Sequence, residues 1–318
     1  GHPGEPGNRY LPDTKLFEPS VNASRKARDR HLLERKTFMR EYAIGLYEKA
    51  MPAHLSWKEK LRAAGRAGYD YVEISIDETQ EKIRRIDMDR GERLSLIRDM
   101  YETGTPIRSM CVSALTKYSL GNSDKGLRER GMEIARGAIQ LAEDLGVRIV
   151  MIPGYDIYYG ESTSQTRRFF EENLEKLALF AARSGVLVEM ETMENAFMNT
   201  VWKAMYHVSR INSVYLGIYP DSGNITNAAV AYGSDEAQDL LSGKGHISSI
   251  HLKETRPGKF REIPYGKGHV DFEKIIQAAW SIGVRKYVTE FWYQGSETWE
   301  EELSQVNGRM RQILDRQV

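Results

Sequence analysis

Hydrophobic positions recur along most of the chain in one repeating unit: a short apolar run, a loop, then a segment with apolar residues every three or four positions. Eight runs have the length and β-branched character of strands: 42–48, 69–76, 107–114, 147–155, 186–192, 214–221, 247–254 and 287–292. The segments between them read as amphipathic helices. In one, Leu127, Ile134, Ala138, Leu141, Ala142 and Leu145 fall on a single stripe. Gly68, Gly146, Gly185 and Gly283 each stand directly before a strand run, where a helix ends on a left-handed residue. Asp271 reads as a helix N-cap, and Thr298 with Glu301 as a capping box. Near-continuous apolar strands are those of a parallel sheet covered on both faces. Eight such β/α units predict an α/β protein, a (β/α)8 TIM barrel over residues 41–318. A doubly wound sheet is the alternative, but no G-x-G-x-x-G follows the first strand and no Walker sequence occurs.

Residues 1–40 break the rhythm. The first twenty carry four prolines and three glycines, and a mixed-charge run follows. They are expected to be an N-terminal extension, flexible or added for expression, or else a helix lent to a neighbouring subunit.

Composition narrows the function. Forty-five basic residues balance 45 acidic ones, without the basic footprint of a nucleic-acid-binding protein. No apolar stretch reaches the ~18 residues of a membrane span, and no signal peptide is evident. The single cysteine, Cys111, lies in an apolar run and reads as a buried structural thiol. A soluble cytoplasmic protein that binds neither nucleic acid nor membrane is expected.

Barrels of this kind carry chemistry at the C-terminal ends of their strands. The fifth to eighth strands each end in a side chain able to bind metal: Glu191, Asp221, His251 and Glu290. Singly, Asp221 also reads as a turn former and His251 as a core histidine. Together, three carboxylates and an imidazole suit one divalent ion: Mn²⁺, Zn²⁺, Co²⁺ or Mg²⁺. The run VLVEMETMEN holds three glutamates. Period-two alternation puts Glu189 on the same face as Glu191 but one layer deeper, beside small residues, with a hydroxyl or water as its expected partner. Glu194 falls past the strand and is expected in solvent. Glu73, on the second strand, faces inward or outward depending on register.

GLYEKAMP, YVEISIDET, METMENAFMN, YPDSGN, GHISSIHLKETRPGKF, YGKGHVDFE and YVTEFW together resemble the L-ribulose-5-phosphate 3-epimerase family of xylose-isomerase-like barrels. The resemblance runs from Glu41 to the C-terminus, with Glu189 and the N-terminal extension as departures. It places the family's metal ligands on Glu191, Asp221, His251 and Glu290. It implies interconversion of L-ribulose 5-phosphate and L-xylulose 5-phosphate by proton transfer at C3 through an enediolate, with Glu191 and Glu290 as the acid/base pair. A phosphorylated ketopentose is then the small-molecule partner, and a homodimer is expected. Expected substrate contacts are Lys253, Arg256, Arg261 and Asn224, three of them in or beside the basic excursion after the seventh strand, where barrels often hold phosphate. The rivals are a 3-epimerase of free ketoses, an aldose–ketose isomerase, a metal-dependent endonuclease and a catalytically silent binding module.

Overall fold

The computed structural model describes residues 40–317, so the expected extension lies, but for Arg40, outside the described residues. Each apolar run becomes a strand shorter than the run itself: Ala43–Tyr47 (β1), Tyr71–Ser75 (β2), Ile107–Cys111 (β3), Ile149–Pro153 (β4), Leu187–Glu191 (β5), Leu216–Tyr219 (β6), Ile250–Leu252 (β7) and Lys286–Thr289 (β8). All pairings are parallel, in the order β6-β5-β4-β3-β2-β1-β8-β7. Bridges Ile218–Ile247 and Asp221–His251 join the two outer strands, so the sheet closes on itself. A helix follows every strand, from Trp57–Arg66 after β1 to Trp299–Leu314 after β8. The fold is a (β/α)8 barrel. Among the described residues, no helix is long and apolar enough to cross a membrane.

Alternation along the strands makes two cores. Ile44, Leu46, Val72, Ile74, Val150, Ile152, Val188, Met190 and Ile218 face outward and pack against the helices. Tyr47, Tyr71, Cys111, Ile149, Met151, Tyr219 and Val288 form a smaller inner cluster. The inner layer is tight: a Cβ on Gly45 would lie 2.3 Å from the Tyr71 ring. Gly146 and Gly185 cap their helices in the left-handed conformation, at φ 74° and 65°. Gly68 and Gly283, both at φ 91°, come one residue after the cap.

Asp271 caps its helix as expected, accepting the Lys274 N–H at 3.0 Å. The capping box at Thr298 does not form. An N-cap side chain reaches the first turn from an extended backbone, and Thr298 sits at φ −99°, ψ 26° instead. Its hydroxyl lies 3.1 Å from the Ser296 hydroxyl.

Behind β1 lies a buried charge cluster. Glu48, 1% exposed, accepts from Lys60 at 2.8 Å, Lys82 at 2.7 Å, both terminal nitrogens of Arg85 at 2.6 and 2.7 Å, and the Ser75 amide at 2.8 Å. Burial alone would raise its pKa, but Arg85, Lys60 and Lys82 outweigh that and hold the carboxyl well below its usual range. Because the folded value lies below the unfolded one, the cluster's contribution is present above the unfolded value of 4.5 and fades as pH falls below it. Glu48→Gln strands buried cations and should cost ~3–5 kcal/mol at pH 7. Urea unfolding across a pH series should show its deficit against the parent narrowing between about pH 5 and 2. An equal deficit at both ends would exclude this role.

Candidate metal centre

Four side chains meet at the C-terminal mouth of the barrel. Glu191 is the last residue of β5, and His251 sits in the middle of the short β7. Asp221 and Glu290 lie just beyond β6 and β8 and are still tied to β7, Asp221 by its bridge to His251 and Glu290 by its amide on the Leu252 carbonyl at 3.1 Å. Asp221 is also the N-cap of the helix Ser222–Tyr232: Oδ1 accepts the Asn224 N–H at 2.8 Å, which leaves Oδ2 free of the cap. One ligand atom from each of the four can be chosen so that all lie within 4.8 Å of one another. His251 Nδ1 is 3.0 Å from Glu191 Oε1, 3.1 Å from Glu290 Oε2 and 3.9 Å from Asp221 Oδ2.

All four are buried. Burial pushes Glu191 up, and the Glu290 charge adds to it, against hydrogen bonding to His251. Burial, with Glu290 and Glu191 nearby, pushes Asp221 up to about 7. Glu290 goes the other way, because the charges of His251 and Lys253 overcome its burial. His251 is raised against its own burial by Glu290 and Glu73. Lys253 Nζ stands 3.1 Å from Asp221 Oδ2, and that partner raises its pKa. Asp221 is nonetheless raised, since its desolvation exceeds what one ammonium returns.

Three carboxylates so close in a buried site repel one another when charged, and a divalent cation would relieve that repulsion. The residues fit one. Asp221 Oδ2 and Glu290 Oε2 are fully buried without a hydrogen bond of good geometry, although an ammonium or imidazole nitrogen lies 3.1 Å from each. Oxygen-rich coordination completed by one imidazole is the chemistry of Mn²⁺, Mg²⁺, Co²⁺ or Zn²⁺.

The sequence profile of the xylose isomerase-like TIM barrel family matches residues 61–310. The L-ribulose-5-phosphate 3-epimerase UlaE of Shigella boydii serotype 18 is 40% identical over 268 residues, 84% of this chain and 92% of the relative. The chain belongs to the L-ribulose-5-phosphate 3-epimerase family. Solved structures agree on the fold. An L-ribulose 3-epimerase has a TM-score of 0.69 at 17% identity, covering 87% of this chain and 95% of its own. A D-allulose 3-epimerase from Methylomonas sp. has a TM-score of 0.68 at 18% identity, covering 87% and 99%.

In this member of the 3-epimerase family, the mouth above the four residues is a cavity of about 370 Å³. Lys49, Cys111, Tyr159, Lys253, Arg261 and Trp292 are among its lining residues. Of the expected substrate contacts, Lys253 and Arg261 line this cavity. Arg256 does not line this cavity; its Nε donates to the Lys267 carbonyl at 2.8 Å within the excursion. Asn224 is buried beneath the mouth, accepting from Lys253 at 2.9 Å and donating to the Thr192 carbonyl at 2.8 Å. It orients the lysine. Glu194 is not in open solvent: it accepts from Tyr155 at 2.6 Å and faces Arg261 at 3.5 Å. Glu189 faces inward below Glu191, and its partner is the Ser248 hydroxyl at 2.6 Å. Its flank is open only because residue 217 is glycine, where a Cβ would lie 2.9 Å from Oε1. Glu73, which sequence left undecided, turns inward and touches His251. Lys49 and Trp292 also line the mouth; they stand in GLYEKAMP and YVTEFW, although sequence alone assigned them no role.

Proposed function

We propose that this chain is a metal-dependent epimerase that interconverts L-ribulose 5-phosphate and L-xylulose 5-phosphate at C3. The observation that carries it is the convergence of Glu191 and Glu290 from β5 and from beyond β8, each about 3 Å from one His251 nitrogen. A relative 40% identical across the fold bears the corresponding name.

Glu191, Asp221, His251 and Glu290 would hold the ion. A divalent ion held there would supply Lewis-acid stabilisation of the negative charge that develops on the enediolate. The rest is work for the chain's own groups. One of Glu191 and Glu290 takes the C3 proton as the C–H electrons pass into the C2–C3 bond, and the other delivers a proton to the opposite face. Asp221, anchored by its helix cap, and His251 serve as ligands only. Lys253, steadied by Asn224, offers its ammonium to a substrate oxygen. Trp292 and Cys111 wall the cavity and keep bulk water from the carbanion-like carbon. Arg261 is the phosphate contact: at 3.5 Å its hold on Glu194 is too long for a strong pair, so the guanidinium is open to a better acceptor. Asp77 and Glu78 also line the mouth and favour the rival reading, a 3-epimerase of unphosphorylated ketoses.

Metal analysis after gentle purification should find about one divalent ion per chain. Chelation should abolish activity, and Mn²⁺ or Co²⁺ should restore it. Full activity in excess chelator would end the proposal. Glu191→Gln, which removes both a proton carrier and a ligand, should lower turnover by ~100-fold or more. For the phosphate, Arg261→Ala should lower kcat/KM for L-ribulose 5-phosphate by ~10–100-fold, the worth of one charge-assisted contact. Arg256→Ala should leave it within a few-fold, and unphosphorylated L-ribulose should respond to neither change. Equal losses on both sugars would mean that Arg261 shapes the loop without reading phosphate.

A further inference from the structure

The imidazole at the centre has two nitrogens, and only one faces the carboxylates of Glu191, Asp221 and Glu290. Nδ1 does so; Nε2 points down the barrel axis, 2.6 Å from Glu73 Oε1. Glu73 is fully buried, and its other oxygen is occupied as well: Oε2 accepts from the Ser109 hydroxyl at 2.7 Å and the Tyr219 hydroxyl at 2.8 Å. Tyr219 in turn accepts from Ser249 at 3.2 Å. Side chains from β2, β3, β6 and β7 thus fix one carboxylate beneath one imidazole.

The strands are built to allow it. Val72 pairs with Ile107, so an unbroken register would set Glu73 against Arg108. The register shifts there instead, and Glu73 pairs with Ser109. The irregularity leaves Arg108 exposed and brings a hydroxyl donor, in place of a guanidinium, beside the inward carboxylate. Bulges that re-aim a side chain are common next to active sites.

We propose that Glu73 is the positioning residue that selects the ligand atom of His251. By accepting from Nε2–H it fixes the tautomer and the ring orientation, so that the Nδ1 lone pair faces the ion. Carboxylates that accept from the far nitrogen of a ligand histidine also increase its basicity as a ligand, and their loss costs ~10–100-fold in metal affinity. The inference rests on the four-residue centre being a metal site, and the experiment separates the two.

The test is Mn²⁺ binding to the chelator-treated protein, followed by electron paramagnetic resonance, with ring-¹⁵N histidine NMR of the Zn²⁺-loaded form. The unaltered protein should bind one Mn²⁺ and show a histidine coordinated through Nδ1 with hydrogen retained on Nε2. Glu73→Gln should weaken Mn²⁺ binding by ~10-fold or more and disturb that histidine signal. Tyr219→Phe, which removes one donor to Glu73 and no ligand, should weaken binding less, by ~3–10-fold; it carries the test if the first variant does not fold. A merely structural role would lower the melting temperature of either variant and leave Mn²⁺ affinity within twofold, and that result overturns the proposal. If the unaltered protein binds no Mn²⁺, the metal reading falls and this inference falls with it. If it binds and both variants bind equally well, only the role of Glu73 is lost.

Discussion

The mouth of this barrel depends on one electrostatic constraint: three carboxylates and an imidazole, all buried, crowded into one site. Each buried charge costs several kcal/mol unless it is paired. The neighbouring residues answer that cost. Lys253 stands against Asp221, Glu73 takes the far side of His251, and the helix after β6 draws off one oxygen of Asp221. What they leave, two buried oxygens without a good hydrogen bond, is the place a cation would fill.

The same chain shows how a buried carboxylate looks when no ligand is wanted. Glu48 is ringed by Lys60, Lys82 and Arg85, and both of its oxygens are engaged. Glu189 is held by a single hydroxyl on Oε1, with room supplied by Gly217, and its Oε2 is buried without a partner. Neither opens into the mouth. Position is what sets Glu191 and Glu290 apart, since both line the mouth.

Much of this was legible in the sequence, for definite reasons. Apolar runs doubly covered by helices mark parallel strands, and a glycine before each of four runs marked where helices stop. Period two separated Glu191 from Glu189 by one layer. Other features leave no trace in residue order. Around Glu73, apolar Val72, Ile74 and Ile76 alternate with Tyr71, Glu73 and Ser75, but residue order does not show the one-residue shift between β2 and β3 that sets Ser109, not Arg108, beside it. The excursion after β7 has no periodicity, so Arg256 and Arg261 looked alike, yet one binds its own loop and the other lines the mouth. Thr298 has the residues of a capping box without the backbone angles. Glu194 found its partner, Tyr155, on a different loop, where no local pattern reaches.

The most direct measurement is turnover of L-ribulose 5-phosphate by the metal-loaded protein in D₂O, with the recovered pentuloses analysed by NMR. Proton exchange confined to the carbon between Glu191 and Glu290 predicts deuterium at C3 of both L-ribulose 5-phosphate and L-xylulose 5-phosphate, and none at C1. Deuterium at C1 would contradict it and make the chain an aldose–ketose isomerase.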